Sequence, residues 1–458
     1  MSDQRMHALQ FALEQRQRVL DDLKQILSIA SISTEGGENQ SLNDAAKWVA
    51  AKLTAIGMHQ VEIFPTGKHP IVYGERLGVQ NAPTILIYGH YDVQPVDPLD
   101  LWESDPFTPT VRGEDIYARG SSDMKGQMLV TMMAVEALVQ TGGLPLNVKW
   151  LLEGEEEIGS PSLAKFITEK KDLLACDFAI NPDSGMMGRD LPTITYALRG
   201  LAYFELRLTG PTRDLHSGIY GGAVLNPANA LAKLIAGMHD DLGRVTLPGF
   251  YDSVRALSQE ERQELARLPI KDSHLIEQTG VPALYGEDGY TGNERASARP
   301  TLDVNGILSG FTGEGSKTVI PSWAMAKIST RLVPDQDPQE VHQQLIQYLD
   351  KNVPAQIRWE LKMMSGAPAS ISDRSNRAVQ AMSKALETVW AMRPFFKREG
   401  GSIPVVGEMQ KLLGAESVIV GFGLPDDNVH APNEKLHLPT WYRGIDTYIH
   451  FLCNLAGL

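Results

Sequence analysis

A change of rhythm along the chain constrains the fold more than any other feature. Three short apolar runs, Ile85–Tyr88, Val148–Leu152 and Phe178–Ile180, alternate with helical patterns at Asp44–Ile56, Gln127–Val139 and Ser162–Leu174. Short apolar runs of this kind read as strands buried on both faces. Strands alternating with helices call for a largely parallel sheet covered on both sides. An amphipathic helix over about 7–30 precedes them. From about Leu201 the rhythm changes. "LAYFELRLTG" alternates at period two, a helix follows near Pro227–Met238, and "TLDVNGI" and "AMAKISTRLV" read as strands. "PQEVHQQLIQYLDKN" is a helix opened by proline, and "QIRWELKMM" is a fourth strand. That β-α-β-β-α-β order is the split βαβ pattern of a small α+β domain. An irregular insertion rich in Arg, Glu and Gly interrupts it at about 240–298. After about Ser375 the helix–strand alternation returns through "NRAVQAMSKALETVWA" and "SVIVGFG" to a closing helix near Trp441–Leu455. The expected architecture is α/β. A mostly parallel-sheet domain is formed by 1–197 and 375–458, and a ferredoxin-like α+β domain at 198–374 is inserted into it.

The bulk numbers narrow the function. A chain of 458 residues exceeds one ordinary core, and 43% hydrophobic residues leave ample material for two. The net charge of −14 argues against nucleic acid, whose phosphates need a basic surface, and is compatible with binding cations. Cys176 and Cys453 are the two cysteines, so neither a disulfide framework nor a CxxC metal site is expected. No apolar run is long enough to span a membrane, and "MSDQRMHALQFALEQRQRV" has neither an apolar core region nor a cleavage signal. The expected setting is the reduced cytoplasm, with no membrane partner.

The chemistry gathers at predicted strand ends. The strand over 85–88 runs into "GHYD", with His90 and Asp92; "ARGSSDMKG" puts Asp123 just before a helix. The strand over 148–152 ends in "EGEEEIGS", the strand over 178–180 in "NPDSG" with Asp183, and the run at 418–420 leads to His430. Ligands of open α/β sheets bind beyond the carboxyl ends of the strands. Taken singly, Asp123 is a helix cap, Asp183 a turn residue and the glutamate run a solvated loop. Taken together, two imidazoles and several carboxylates with no thiolate suit Zn²⁺, Mn²⁺ or Co²⁺. They are too many for one tetrahedral ion and fit two ions sharing a carboxylate.

With these residues in hand, the sequence resembles the M20 metallopeptidases, in the branch of cytosolic nonspecific dipeptidases and carnosinases. The resemblance spans nearly the whole chain. It rests on "GHYDVQP", "ARGSSDMKG", "LEGEEEIGS", "NPDSG", "DLHSGIYGG", "KTVIP", "RLVP", "EGGSIPV" and "HAPNEKL", in that order. It implies that His90, Asp123 and Asp183 hold one metal ion, and that Asp123 bridges to a second held by Glu157 and His430. Asp92 would orient His90, and Glu156 would be the general base. Glu155 stands where relatives often carry an uncharged residue, so a register with Glu155 and Glu156 in the two roles stays open. His216 would stabilise the oxyanion from the partner subunit of a homodimer. Arg331, Thr318, Gly400, Gly401 and Ser402 would hold the substrate carboxylate. The resemblance also implies a cis peptide bond after Asp123.

The expected function is hydrolysis of dipeptides by a di-metal-activated water, since an aspartate at position 183 accompanies dipeptidases and aminopeptidases in this family. The alternatives are an amidohydrolase acting on N-acyl or N-carbamoyl amino acids and a non-catalytic binding protein of the same fold.

Overall fold

The computed structural model describes residues 2–34 and 39–457. The chain forms two compact units. One comprises Met1–Tyr196, Ile371–Lys397 and Glu408–Leu458; the other comprises Ala197–Ser370 and Arg398–Gly407.

The first unit is built on a mixed sheet. Its order runs Gln60–Phe64, Ile71–Arg76, Asn147–Glu153, Thr84–His90, Phe178–Asn181, Ser417–Ile419, Thr193–Leu198. The four central strands, from Asn147–Glu153 to Ser417–Ile419, are mutually parallel. Their apolar runs are buried on both faces, as the sequence pattern requires. The flanking pairs are antiparallel, so the sheet is parallel only at its centre. The helix Lys125–Thr141 is buried over nearly its whole circumference. It packs against Ser2–Glu14, Arg16–Leu27 and Leu438–Leu455, which explains why its sequence lacks a polar face. Where the sequence predicts one helix over 7–30, two helices meet at Gln15, whose backbone leaves the helical region.

The second unit has a four-stranded antiparallel sheet of Thr301–Ser309, Trp323–Leu332, Gly200–Thr209 and Arg358–Ala367, in that order. With helices Pro227–Ala236 and Pro338–Asn352 this is the ferredoxin-like arrangement expected from the β-α-β-β-α-β order. Each helix carries proline at its first position behind a side-chain cap, Asn226 or Asp337. The two central strands, Gly200–Thr209 and Trp323–Leu332, bury every second residue; Phe204, Leu206, Leu208, Ala326 and Ile328 form the core beneath the two helices. The segment over 240–298 is more ordered than its composition suggests. It contains the short helices Gln259–Leu265, Asp272–Thr279 and Gly292–Ala298, the last opened by a capping box of Thr291 and Glu294. Arg398–Gly407, which the sequence pattern assigns to the first domain, groups with the second unit. Polar ties invisible in the local sequence hold it there, among them Arg398 Nε to Glu261 at 2.8 Å and Arg331 to Ser402 at 2.9 Å.

Candidate active site

The central strands of the first unit bring their terminal polar residues together. Thr84–His90 delivers His90, fully buried, as its last residue. His90 Nδ1 lies 3.1 Å from the Asp92 carbonyl and 3.3 Å from Asp92 Oδ1. That leaves Nε2 facing the cluster, 3.2 Å from Asp123 Oδ1 and 3.9 Å from Asp183 Oδ2. His430, in the left-handed backbone region at φ 62°, places its Nε2 2.9 Å from Asp123 Oδ2 and 3.3 Å from Glu157 Oε2. The two oxygens of Asp123 therefore face two different imidazoles. Candidate ligand atoms of His90, Asp123 and Glu157 all lie within 4.8 Å of one another.

The glutamate run divides by function of position. Glu155 is buried and turned away, accepting from Thr66 Oγ1 (2.8 Å), His69 N (2.9 Å) and Ser162 N (3.0 Å). Glu157 points into the cluster, and Gln94 Nε2 donates to its Oε2 at 2.7 Å. Asp92 anchors the backbone of the run. Its two carboxylate oxygens accept the backbone N–H groups of Glu156 (3.3 Å) and Glu157 (3.0 Å), beside the imidazole it also touches.

The Asp123 turn is clamped by one buried carboxylate. Glu434 accepts from Arg119 Nη1 (2.8 Å), Gly120 N (2.9 Å), Ser122 N (2.9 Å) and Asp123 N (3.1 Å). Gly120 sits at φ +83°, and a Cβ there would meet a Val93 methyl at 2.6 Å, so the turn needs glycine. The Asp123–Met124 peptide bond is cis. Sequence reasoning missed Glu434 and Gln94 as functional groups, although both lie inside quoted motifs, "HAPNEKL" and "GHYDVQP".

Electrostatics show what the cluster would accept. Hydrogen bonds to Asp123 and Glu157 push His430 up to about 10. Burial pulls the His90 imidazole down, but hydrogen bonds to Asp123 and Asp92 override it and hold it well above its ordinary value. Burial would raise Asp123, yet the two histidines hold it well below the usual carboxylate range. Burial, helped by Glu157 and Asp123, pushes Glu156 up to about 7 against the pull of His90. Burial and the Asp123 charge raise Asp183 well above its usual range. An acidic, buried donor set that gathers protons in this way is the set a divalent cation would discharge. The residues present therefore fit a divalent metal. Beside them lies a cleft of about 380 Å³, lined among others by Asp123, Asp183, Met186, Lys397 and Val429.

The remaining sequence-predicted residues lie in the second unit. His216 pairs with Val319 across a short antiparallel ladder, and Ser217 N donates to Thr318 O at 3.0 Å. His216 and Thr318 are thus neighbours. The His216 Nδ1 accepts from Gly218 N at 2.9 Å, which puts the proton of the neutral ring on Nε2. Arg331 Nη1 donates to Ser402 Oγ at 2.9 Å, and Arg199 Nε donates to Gly400 O at 3.0 Å. A Cβ on Gly400 would meet Ala296 O at 2.4 Å, whereas one on Gly401 would meet only the Glu399 side chain, at an ordinary 4.0 Å.

Residues 86–454 match the family model described as peptidase family M20/M25/M40. The chain belongs to this family. It is 30% identical over 462 residues to the Cys-Gly metallodipeptidase DUG1 of Candida albicans, covering 96% of this chain and 95% of that one. Human Beta-Ala-His dipeptidase is 28% identical over 425 residues, covering 91% and 84% of the two chains. Among solved structures, the M20 family metallo-carboxypeptidase Sso-CP2 of Sulfolobus solfataricus superposes with a TM-score of 0.83 at 34% identity, covering 96% and 99%. M20 membership brings a divalent-metal requirement, and the cluster of His90, Asp123 and Glu157 supplies donors for it.

Proposed function

We propose that this M20 member is a broad-specificity dipeptidase that hydrolyses the peptide bond with water activated at a two-ion centre. One observation carries the reading: the two oxygens of Asp123 face separate imidazoles, each with a further carboxylate close by. His90, Asp123 and Asp183 would hold one ion; Asp123, Glu157 and His430 would hold the other. Zn²⁺ or Mn²⁺ suits these donors, and Co²⁺ is compatible with them. When bound, such ions supply Lewis-acid polarisation and acidify water.

The chain's own residues do the rest. Glu156 accepts a proton from water and returns it to the departing amine. Asp92 positions it through the Glu156–Glu157 backbone and also touches the His90 ring. The guanidinium of Arg331, with Thr318, Gly400, Gly401 and Ser402, holds the substrate carboxylate. His216 donates from Nε2 to the developing oxyanion, from the partner subunit of a homodimer. Two features support a dimer: Thr301–Ser309 is an edge strand, and Ile307 and Leu308 on it are 62% and 44% exposed. A reduced cytoplasmic setting accords with the free Cys176 and Cys453; among the described residues no helix is long and apolar enough to cross a membrane.

Names of relatives support the substrate class, since DUG1 and the Beta-Ala-His enzyme are named dipeptidases. Likeness to Sso-CP2, a named carboxypeptidase, favours a second reading in which longer peptides are trimmed at the C-terminus. The test is turnover of unblocked dipeptides, tripeptides and N-acetyl amino acids by enzyme loaded with Zn²⁺, Mn²⁺ or Co²⁺. Dipeptides should be cleaved fastest. Faster cleavage of tripeptides installs the carboxypeptidase reading, and faster cleavage of N-acetyl amino acids the amidohydrolase. No turnover of any of them would leave a binding protein.

A further inference from the structure

We propose that a cavity of the second unit is a two-anion site, in which Arg331 takes one carboxylate while Arg199 and Arg295 take another, so that dipeptides ending in Asp or Glu are preferred substrates. The site deepens the dipeptidase reading and rests on it for the identity of the ligand.

The cavity holds about 760 Å³, and its charged lining is four arginines, Arg199, Arg295, Arg299 and Arg331, against Glu287 and Asp303. That is a local excess of cation in a chain of net charge −14. Arg299 is neutralised, because its Nε and Nη2 lie 2.7 and 2.8 Å from the two oxygens of Glu287. The hydrogen bonds of the other three guanidiniums go to neutral oxygens. Arg199 donates to the carbonyls of Gly400 (3.0 Å) and Arg299 (3.4 Å), Arg295 to the carbonyl of Glu287 (2.8 Å), and Arg331 to the Ser402 hydroxyl (2.9 Å).

Strand register explains why Arg199, Arg299 and Arg331 converge, and the helix Gly292–Ala298 adds Arg295 to the same cavity lining. Arg331 lies opposite Leu201 on one neighbouring strand and Thr301 on the other, so Arg199 stands two residues from one partner and Arg299 two from the other. A guanidinium cannot shed its charge at physiological pH. Burial and the charge of Arg331 pull Arg199 down to about 10, with Asp303 and Glu399 opposing only in part. Like charges held this close and partly dry are stabilised by an anion between them, and a planar fork matches a carboxylate. A single α-carboxylate on Arg331 leaves Arg199 and Arg295 hydrogen-bonded to backbone carbonyls. The side-chain carboxylate of an acidic C-terminal residue supplies them an anion.

The test has two arms on metal-loaded enzyme. In the first, kcat/KM is compared for Gly-Glu against Gly-Gln and for Ala-Asp against Ala-Asn, pairs that differ only in charge. The acidic member should be favoured about tenfold or more. The ratio should fall toward one in Arg295→Gln and stay intermediate in Arg295→Lys, which keeps the charge without the fork. In the second, calorimetry compares glutarate with butyrate. Glutarate should bind about tenfold more tightly in the parent, and the advantage should vanish in Arg295→Gln. A ratio near one in an enzyme that hydrolyses both peptides overturns the proposal, as does glutarate binding no better than butyrate. If no unblocked dipeptide is hydrolysed but the glutarate preference holds, the dipeptidase reading fails and the two-anion site stands.

Discussion

The two units carry opposite electrostatic debts. In the first, Asp123, Glu156, Glu157 and Asp183 crowd around two imidazoles, and burial and neighbouring charge raise Glu156 and Asp183 while carboxylate partners raise His430. In the second, guanidiniums crowd one cavity with neutral oxygens as their hydrogen-bond partners. Carboxylates can respond to crowding by titrating; guanidiniums cannot. The acidic cluster is therefore sensitive to pH and to metal, whereas the basic cavity answers only to an anion. The clusters are also built differently. Polar partners hold the first in place: Asp92 accepts the backbone N–H groups of Glu156 and Glu157, Gln94 donates to the Glu157 carboxylate, and Glu434 accepts from the backbone of the Asp123 turn. Backbone carbonyls and one hydroxyl position Arg199, Arg295 and Arg331 of the second, while the Glu287 carboxylate holds Arg299.

The strongest challenge to this picture of the acidic cluster is to separate base from ligand. Glu156→Ala should lower kcat by roughly 10²–10⁴ while both metal ions remain bound. Glu157→Ala should lose metal. Elemental analysis of the two purified variants decides between the registers: metal loss from Glu156→Ala alone would assign the ligand role to Glu156.

Next in size is His216, the one proposed catalytic group on the second unit. His216→Ala should cost roughly 10²–10³ in rate. Mixing it with Glu156→Ala subunits and letting them exchange gives mixed dimers with one site carrying both defects and one carrying neither. Random pairing should then restore about a quarter of the parent activity. No recovery after demonstrated exchange would mean that His216 acts within its own subunit or not at all.

A smaller effect is expected at Glu434, which touches no candidate ligand side chain but accepts the Asp123 N–H. Glu434→Gln keeps the shape and loses the charge that Arg119 answers. Metal affinity should fall about 10–100-fold, the usual cost of removing a group that orients a ligand. Chelator competition measures it. Unchanged affinity would make Glu434 a fold-stabilising residue only.

These residues also mark how far the sequence is readable. His90, Asp123, Asp183 and His430 are legible because each sits in a short motif next to a predicted strand or helix, so local pattern alone places them at one sheet edge. The role of Glu434 is not, because its partners lie between 311 and 315 residues away in the chain. The same holds for Arg398–Gly407, whose tie to Glu261 spans 137 residues. The antiparallel strand Gln60–Phe64 alternates over only four residues, Gln-Val-Glu-Ile, and is largely exposed, so period-two reasoning has too short a signal there. The helices within 240–298 did leave a signal. Ser258 followed by Glu261 and Thr291 followed by Glu294 are both capping patterns, hidden in a composition that reads as loop.

The smallest effect is a control that separates crowding from mere burial. Asp446, on the helix Leu438–Leu455, is a partly buried carboxylate outside the metal cluster, flanked by the charges of Arg16 and Arg443. Burial raises it to about 6, with those two arginines opposing. A carboxyl whose folded value lies above its unfolded one stabilises the fold while protonated. Its contribution is complete below about pH 4, the unfolded value, and is lost as pH rises through about 6. Asp446→Asn removes that dependence. After discounting for solvent screening, the variant should gain about 1 kcal/mol relative to the parent at pH 8, on the order of 2 °C in Tm, and nothing at pH 4. The gain should be the same with and without added Zn²⁺ or Mn²⁺, because no cation replaces the proton at this site. Thermal melts at both pH values, with metal and with chelator, give the comparison. A gain at pH 8 that disappears on adding metal would tie Asp446 to the cluster after all, and the contrast between titrating acids and an ion-seeking centre would have to be drawn elsewhere in the first unit.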